Sequence, residues 1–249
     1  MNDLSPTSRV ALADLTKRFG NLTAVDHLSL QLSPGEIFAF LGLNGAGKTT
    51  TIKLLVGLLA PTSGSVLIDG RDLARFPEEA KRIIGYVPDE PYLYEKLTGA
   101  EFLDFVGTLY GIPQQELISR REQMLETFRL TSVAYRLIET YSHGMRQRLV
   151  YAGVFLHEPR LLVVDEPTVG LDPEGMQLVK TQFRKLAASG ATVFLSTHVL
   201  SLAQEIADRI GIIHRGKMLA CGRSEDLIRQ NPGCRTLEEG FLKLVERNP

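Results

Sequence analysis

The chain lacks the features that would place it in a membrane or outside the cell. No apolar run approaches the roughly 18 residues that a membrane-spanning helix requires. Residues 1–6 contain no basic stretch followed by an apolar one, so a secretory signal is not expected. The two cysteines, Cys221 and Cys234, are isolated and lack metal-type spacing, and we interpret both as reduced structural thiols. These absences predict a soluble, cytoplasmic protein.

An excess of positive charge is also missing. The 249 residues contain 28 Lys and Arg against 29 Asp and Glu, which gives a formal net charge of -1. Binding to nucleic acid through a strong positive field is therefore not expected. Hydrophobic residues make up 44% of the chain, enough for a substantial core, and the length suits one large domain or a core with an inserted lobe.

A phosphate-binding loop is present at residues 42–49. It matches the pattern G-x-x-x-x-G-K-[ST] with Gly42, Leu43, Asn44, Gly45, Ala46, Gly47, Lys48 and Thr49. The glycines allow the backbone to wind tightly, so that successive N–H groups face one phosphate-binding centre. Lys48 can reach the β- and γ-phosphates, and the Thr49 hydroxyl can ligate Mg²⁺. An apolar strand-like run at residues 36–41 precedes the loop and a helical run from Thr50 follows it, which is the order that this motif requires.

Two later strand-like runs end in residues that suit phosphate hydrolysis. The apolar residues 161–164 lead into Asp165 and Glu166. Asp165 can hold Mg²⁺ through water, opposite Thr49, and Glu166 can polarise an attacking water as a general base. The other run ends in His198, whose neutral imidazole can relay a proton between phosphate and base. Singly, each residue is equally consistent with a solvated surface position, and the phosphate loop in the same chain makes the combination informative.

The hydrophobic pattern predicts an α/β fold. Short alternating runs at residues 9–32 indicate a small antiparallel sheet, and after a mostly helical stretch the strand-type pattern returns between helices. We therefore expect one domain over residues 1–249. Its expected parts are an α/β core with the β subdomain at about 9–89 and 158–225, an inserted helical subdomain at about 90–157, and a helical C-terminal tail at 226–249.

The segment at residues 141–148 discriminates between families. Ser142 and Gly144 precede a helical run at 145–156, where they would face an anion at the helix N-terminus. Read locally, Ser142 is only an N-cap. The phosphate loop, this segment, the two acids, the loop at 169–172 and the histidine follow one another in the order typical of one family. The chain resembles the ATP-binding subunit of an ABC transporter over about residues 9–225. Among such subunits it is most similar in appearance to those of bacterial ABC-2-type exporters.

The resemblance implies a P-loop NTPase (RecA-like) core, ATP and Mg²⁺ as ligands, and a role for each motif. It implies catalytic roles for Lys48, Glu166 and His198. It implies ATP-binding roles for Phe19, Gly42, Leu43, Asn44, Gly45, Ala46, Gly47, Lys48, Thr49 and Thr50. It implies Mg²⁺ ligation by Thr49, Asp165 and Asp89. It implies contacts across a dimer by Ser142, His143, Gly144 and Asp172.

Two of these positions differ from the residue that the family usually has, and a third has two interpretations. The family usually has glycine where this chain has His143, so an extra side chain either points away from the phosphate or adds a contact. The family commonly has a glutamine that contacts Mg²⁺ or water and links the site to the membrane partner, and this chain has Asp89 there. An aspartate can still approach the metal, but it is shorter and adds charge. Phe19 stands where the family places an aromatic ring that stacks on adenine, although a phenylalanine at this point is also consistent with a core residue.

The resemblance also implies how the protein works. Two such subunits, identical or different, pack head to tail, so that ATP binding closes the dimer and hydrolysis reopens it. This cycle drives an integral membrane permease, which places the protein on the inner face of the cell membrane, with export favoured and no nucleic acid as partner. One alternative is an ABC ATPase that acts on DNA or ribosomes. A phosphate-loop kinase or GTPase is another, but the Asn-Lys-x-Asp motif of a GTPase is absent.

Overall fold

The computed structural model describes residues 8–90, 92–230 and 233–248. Residues 1–6, where no secretory signal is expected, lie outside this description. The strands are β1 (Val10–Phe19), β2 (Leu22–Leu32), β3 (Ile37–Leu41), β4 (Ser63–Ile68), β5 (Arg71–Asp72), β6 (Ile84–Val87), β7 (Leu161–Asp165), β8 (Thr192–Thr197), β9 (Arg209–His214) and β10 (Lys217–Gly222). The α-helices are α1 (Lys48–Leu55), α2 (Pro77–Ile83), α3 (Gly99–Leu109), α4 (Gln114–Thr127), α5 (His143–Leu156), α6 (Pro173–Ala188), α7 (Leu200–Ile206), α8 (Ser224–Arg229) and α9 (Leu237–Glu246).

The strands form two sheets. An antiparallel sheet has the order β2-β1-β4-β5, and a second sheet has the order β10-β9-β3-β8-β7-β6. The neighbours from β9 to β6 are parallel, whereas β10 pairs with β9 in the antiparallel sense. Every residue of β3, β7 and β8 is buried, as expected for parallel strands covered on both faces. The α/β class predicted from the sequence is confirmed.

Alternating side chains of the parallel sheet divide the core into two layers. Phe38 and Phe40 of β3 pack with residues of α1 and of the antiparallel sheet on one face. Ala39 and Leu41 pack on the other face with residues of α5, α6 and α7. This division follows from the two-residue period of a strand. On the first face the rings of Phe38 and Phe194 stack with centroids 5.7 Å apart, which ties β3 to β8.

Between β6 and β7 the chain forms the helices α3, α4 and α5. The first of these begins at a capping box in which Thr98 and Glu101 bond reciprocally to each other's backbone N–H. The last begins at His143 rather than at 145, because the Ser142 hydroxyl accepts a hydrogen bond from the Met145 N–H at 3.3 Å and extends the helix toward its cap. Within the described residues, none of the helices combines the length and apolar character needed to cross a membrane.

Candidate active site

The phosphate-binding loop connects the end of β3 to the start of α1. Its glycines are required by packing as well as by conformation. Gly47 has a φ of 107°, and a Cβ atom there would lie 2.4 Å from the carbonyl oxygen of Ala24. A Cβ at Gly42 would lie 2.6 Å from the carbonyl oxygen of Ile213. Only glycine fits such close backbone approaches, so neighbouring strands preset the shape of the loop.

Hydrogen bonds hold the loop from both sides. The Ala46 N–H donates to the Leu43 carbonyl at 3.1 Å, and the Gly216 N–H donates to the Ala46 carbonyl at 2.8 Å. The Thr51 hydroxyl of α1 donates to the Gly47 carbonyl at 2.9 Å. The loop is therefore organised by the protein itself, and its free N–H groups do not need to be ordered by a ligand.

Lys48 lies across the mouth of this loop. Its side chain is only 6% exposed, and Nζ donates to the Gly42 carbonyl at 2.8 Å and to the Leu43 carbonyl at 3.4 Å. Nζ also lies 3.3 Å from Oε1 of Glu166. The ammonium group is thus held at the point where the loop meets the carboxyl end of β7.

Glu166 lies between Lys48 and His198. Its other oxygen, Oε2, is 2.9 Å from Nδ1 of His198, while Oε1 faces the lysine. The backbone of Glu166 is in the left-handed region with a φ of 50°, a conformation that is uncommon for a residue with a side chain and is concentrated at functional sites. Its N–H donates to the Ser196 carbonyl at 3.2 Å, which helps to hold it there.

Asp165 precedes Glu166 and is 1% exposed. The parallel register of β7 and β8 places it opposite Ser196, whose hydroxyl donates to Oδ1. Burial raises the pKa of Asp165, interaction with the hydroxyls of Ser196 and Thr49 lowers it, and the negative charges of Asp89 and Glu166 raise it again. The buried Oδ2 has no hydrogen-bond partner among the described residues.

These donors suit a hard divalent cation. A buried carboxylate oxygen without a partner, a neighbouring threonine hydroxyl and nearby negative charge are the environment that Mg²⁺ prefers when phosphate oxygens complete its shell. Among residues 8–90, 92–230 and 233–248 no three His, Cys, Asp or Glu side chains form a closed metal-binding group. Mg²⁺ does not require one, since it usually binds through one or two carboxylates plus substrate phosphates.

A cleft of ≈ 690 Å³, which we call the nucleotide cleft, lies in front of the phosphate loop. It is lined by Phe19, Leu22, Thr23, Ala24, Leu43, Asn44, Gly45, Gly47, Lys48, Thr49, Thr50, Asp89, Glu166, Arg215 and Gly216. The structure thus brings most of the expected ATP-binding residues together, while Gly42 and the 4% exposed Ala46 lie buried beneath them. Asp89 reaches the same cleft, and one of its carboxylate oxygens accepts a hydrogen bond from the Glu90 N–H at 3.0 Å.

Phe19 lines the cleft. Its side chain is 47% exposed, so it is not a core residue. The Lys17 ammonium lies 5.1 Å from the centre of its ring. An exposed aromatic ring at the edge of a phosphate site, with a cation on one face, offers a stacking surface for a base.

The residues expected to act across a dimer lie outside this cleft. Ser142 is the N-cap of α5 and is exposed, and His143 and Gly144 form the first turn of the same helix. Asp172 caps α6, where its Oδ1 accepts a hydrogen bond from the Gly175 N–H at 2.7 Å. These four residues form a second group, whose role toward a nucleotide stays a prediction.

Sequence reasoning missed several residues of the site. Ser196 was not assigned a role, although its position at the end of a strand parallel to β7 is a signal once the register is known. Arg215 and Gly216 form the turn between β9 and β10, with φ angles of 46° and 78°. The Arg-Gly pair between two apolar runs indicates a tight turn, but nothing local to it indicates that the turn reaches the nucleotide cleft.

Comparison with known proteins identifies the family. A sequence model of the family described as "ABC transporter" matches residues 25–169. This chain belongs to the ABC transporter family. "Probable multidrug ABC transporter ATP-binding protein YbhF" of Escherichia coli (strain K12) is 39% identical over 239 residues, which are 93% of this chain and 41% of that protein. "Nod factor export ATP-binding protein I" of Ralstonia nicotianae (strain ATCC BAA-1114 / GMI1000) is 35% identical over 235 residues, 94% of this chain and 73% of that protein.

A solved structure gives the same result for the fold. "Structure of ATP binding subunit of ABC transporter" is 34% identical to this ABC transporter protein with a TM-score of 0.90, and the match covers 95% of this chain and 99% of that one. The resemblance to an ABC transporter ATP-binding subunit is confirmed, and so is the expected P-loop NTPase core with its two subdomains. The predicted function agrees with the family, whose ATP-binding subunits are ATPases coupled to transport.

The family match covers only part of the site. The matched segment includes the phosphate loop, the segment around Ser142 and the pair Asp165 and Glu166, whereas Phe19 and His198 lie outside it. The family supports ATP as the ligand of the loop. The roles of the individual residues and the presence of Mg²⁺ remain predictions, supported by the geometry described above.

Proposed function

We propose that this protein hydrolyses ATP and thereby powers a separate membrane permease, as an exporter. The observation that carries the proposal is the position of Glu166. Its carboxylate is held between the Lys48 ammonium and the His198 imidazole, directly beside a preset phosphate-binding loop. At these positions Glu166 can take a proton from water, and Lys48 can stabilise the negative charge that develops on the phosphate.

In the proposed reaction, the oxygen of a water molecule attacks the γ-phosphorus and the bond to the β-γ bridging oxygen breaks. Glu166 accepts the proton of the attacking water, and His198 orients the base through its contact with Oε2. Lys48 and the loop N–H groups offset the negative charge that moves onto the phosphate oxygens. Phe19 stacks on adenine at the far end of the nucleotide cleft.

Thr49, Asp165 and Asp89 are the residues that would hold Mg²⁺. When bound, the cation would neutralise charge on the β- and γ-phosphate oxygens. Within the protein, Ser196 holds one oxygen of Asp165 and leaves the other buried and without a partner in the described residues. This arrangement keeps Oδ2 of Asp165 available to bind Mg²⁺.

The proposed assembly contains two ATP-binding subunits, identical or different. Ser142 and Gly144 lie outside the subunit's own cleft at the start of α5, where an exposed hydroxyl and backbone N–H groups can bind the phosphates of a second copy. Ser142 can donate its proton to a phosphate while its oxygen accepts the Met145 N–H. Each ATP would then be contacted completely only in the closed pair.

The permease partner is proposed to dock beside the site. A groove of ≈ 690 Å³, which we call the docking groove, runs between the core and the helices α3 and α5. Its exposed apolar residues include Leu58 at 59% and Tyr92 at 81%, and large exposed apolar surface is typical of protein contacts. Asp89 lines both this groove and the nucleotide cleft. A permease segment seated here would meet a residue that also borders the ATP.

Export is proposed from the relatives, among them a Nod factor export subunit. The localisation that follows is the cytoplasmic side of the membrane, attached through the permease. We propose no nucleic acid partner, in keeping with the net charge of -1.

The activity is tested with two variants. Glu166→Gln should keep ATP binding, because Lys48 and the loop are untouched, and should slow hydrolysis by about 100-fold or more. Lys48→Ala should lose binding or turnover. ATP binding is measured by equilibrium titration and hydrolysis by phosphate release. Hydrolysis by Glu166→Gln at the parental rate would show that Glu166 is not the base.

A further inference from the structure

His143 occupies a specific place in the subunit's own structure. A Cβ atom built on Gly170 would lie 2.3 Å from both Cδ2 and Nε2 of the His143 ring. The imidazole edge therefore fills the space that a side chain at Gly170 would need. Since the family usually has glycine at the position of His143, the usual residue has no ring with which to make this contact.

A second contact joins the same two segments. A Cβ atom on Gly144 would lie 3.2 Å from the Gly170 carbonyl oxygen, so the backbones also approach closely. His143 and Gly144 form the first turn of α5, immediately after the exposed Ser142. The segment proposed to bind the partner's nucleotide thus packs on the loop 169–172 of its own subunit.

That loop leads back to the proposed base within a few residues. The Val169 N–H donates to the Glu166 carbonyl at 3.1 Å, which closes a turn over residues 166–169, directly before Gly170. Glu166 and Gly170 both have left-handed backbones, with φ angles of 50° and 77°. At its other end, the loop is fixed by Asp172, which caps α6. Hydrogen bonds therefore anchor the loop on both sides of Gly170.

We propose that His143 is a positioning residue that couples the partner-facing end of α5 to the catalytic glutamate of its own subunit. The proposal rests on the proposed function, because it assigns Ser142 to the partner's ATP and Glu166 to hydrolysis. The ring packs against Gly170 and acts through it, without touching the nucleotide of its own cleft. Closure around one ATP would then adjust the base at the other.

A double-mutant cycle tests the contact. The variants are His143→Gly, Gly170→Ala and the combination, with His27→Gly as a matched control at an exposed histidine whose backbone φ of 50° suits glycine. His143→Gly should lower kcat several-fold, with KM for ATP unchanged. Gly170→Ala should lower kcat more strongly, because the new methyl group displaces the ring as well as straining the backbone. In the double variant the methyl group meets no ring, so kcat should exceed the product of the single effects by about threefold or more.

A conservative replacement separates packing from phosphate contact. His143→Phe keeps a flat ring against Gly170 but has no ring nitrogen, so kcat should stay within about threefold of the parental value if packing is the function. If His143→Phe behaves like His143→Gly, or if KM rises in both, His143 contacts a nucleotide and the proposal is wrong. Additive effects in the cycle would also overturn it.

The same cycle is measured by urea unfolding of the full chain, which does not depend on hydrolysis. Coupling between His143→Gly and Gly170→Ala in the unfolding free energy reports the contact even if the parental protein had no ATPase activity. Absent activity with coupled unfolding would reject the proposed function and, with it, a catalytic role for the contact. Normal activity with additive effects in both assays would reject the contact alone. If Gly170→Ala does not fold, the comparison of His143→Gly with His143→Phe decides the question.

Discussion

Replacement of Ser196 by alanine should destabilise the protein in a pH-dependent way. Ser196 supplies the hydrogen bond to Oδ1 of Asp165, and Oδ2 already has no partner in the described residues. The variant therefore leaves this 1% exposed carboxylate with the nearby Thr49 hydroxyl alone. A hydrogen bond to a charged group contributes about 1.5–3 kcal/mol. For a chain of this length that corresponds to a fall in Tm of about 3–12 °C.

The sign of the pH dependence follows from the pKa of Asp165, which burial raises above its ordinary value. The folded state therefore holds its proton to higher pH than the unfolded state, and the cost of ionising the buried group appears as the pH rises through that window. Loss of Ser196 raises the pKa further, so the variant should lose more stability at pH 7 than near pH 4. At the lower pH the difference should narrow, because the protonated fraction of Asp165 is larger there in both proteins.

Urea unfolding monitored by circular dichroism at pH 7 and pH 4 measures the effect. Ser196→Thr keeps a hydroxyl and should recover part of the loss at pH 7. Ser189→Ala makes the same chemical change at an exposed serine and should alter stability by less than about 0.5 kcal/mol at either pH. An equal loss at both pH values would contradict the role given to the Asp165 charge, and no loss would contradict the hydrogen bond itself.

Three further variants test Phe19 and Arg215 of the nucleotide cleft and His157 of the docking groove. Phe19→Ala should weaken ATP and ADP binding about 5- to 150-fold, since stacking on a base contributes about 1–3 kcal/mol; unchanged affinity in an equilibrium titration would exclude the stacking role. Arg215→Ala should weaken the binding of ATP and ADP but not that of adenosine, because this cation lines the cleft. Lys217→Ala in the same hairpin, where the lysine pairs with an aspartate at 3.3 Å, should leave the binding of all three unchanged. An equal loss of adenosine binding in Arg215→Ala would place Arg215 away from the phosphates. Burial lowers the pKa of His157 to about 4, below the value of about 6.5 in an unfolded chain. The unfolded state then binds a proton that the folded state does not bind, so stability falls as the pH drops from 6.5 toward 4. His157→Phe, which retains a ring against Tyr110, should remove about 2 kcal/mol of the stability difference between pH 7.5 and pH 5 in urea unfolding, and an unchanged pH dependence would assign it to other groups.

Features with a local physical cause could be predicted from the sequence. The phosphate loop is one, because its winding depends on glycine at fixed positions, and the structure shows that Gly42 and Gly47 have no room for a side chain. The buried strand that leads to Asp165 is another, since a parallel strand covered on both faces is continuously apolar. The N-cap at Ser142 also follows from residue type, although the helix begins earlier than the apolar pattern indicates.

Features that depend on strand order or on contacts between distant segments could not be predicted. The hydrogen bond between Ser196 and Asp165 follows only from the pairing of β7 with β8. Arg215 enters the nucleotide cleft because the Gly216 N–H binds the loop carbonyl of Ala46, a contact with no local signal. The sequence left open whether His143 points away from the phosphate, and its contact with Gly170 became visible only when the two segments were placed in space.

In the proposed dimer two copies share each ATP, with Ser142 of one acting on the nucleotide held by Lys48 of the other. The most direct test mixes two inactive variants, Lys48→Ala and Ser142→Arg, and measures ATP hydrolysis by the heterodimer. One site in that heterodimer combines an intact phosphate loop with an intact Ser142, so hydrolysis should return at up to about half the parental rate per dimer. Complete inactivity of the mixture, with heterodimers shown to form, would contradict action across the dimer.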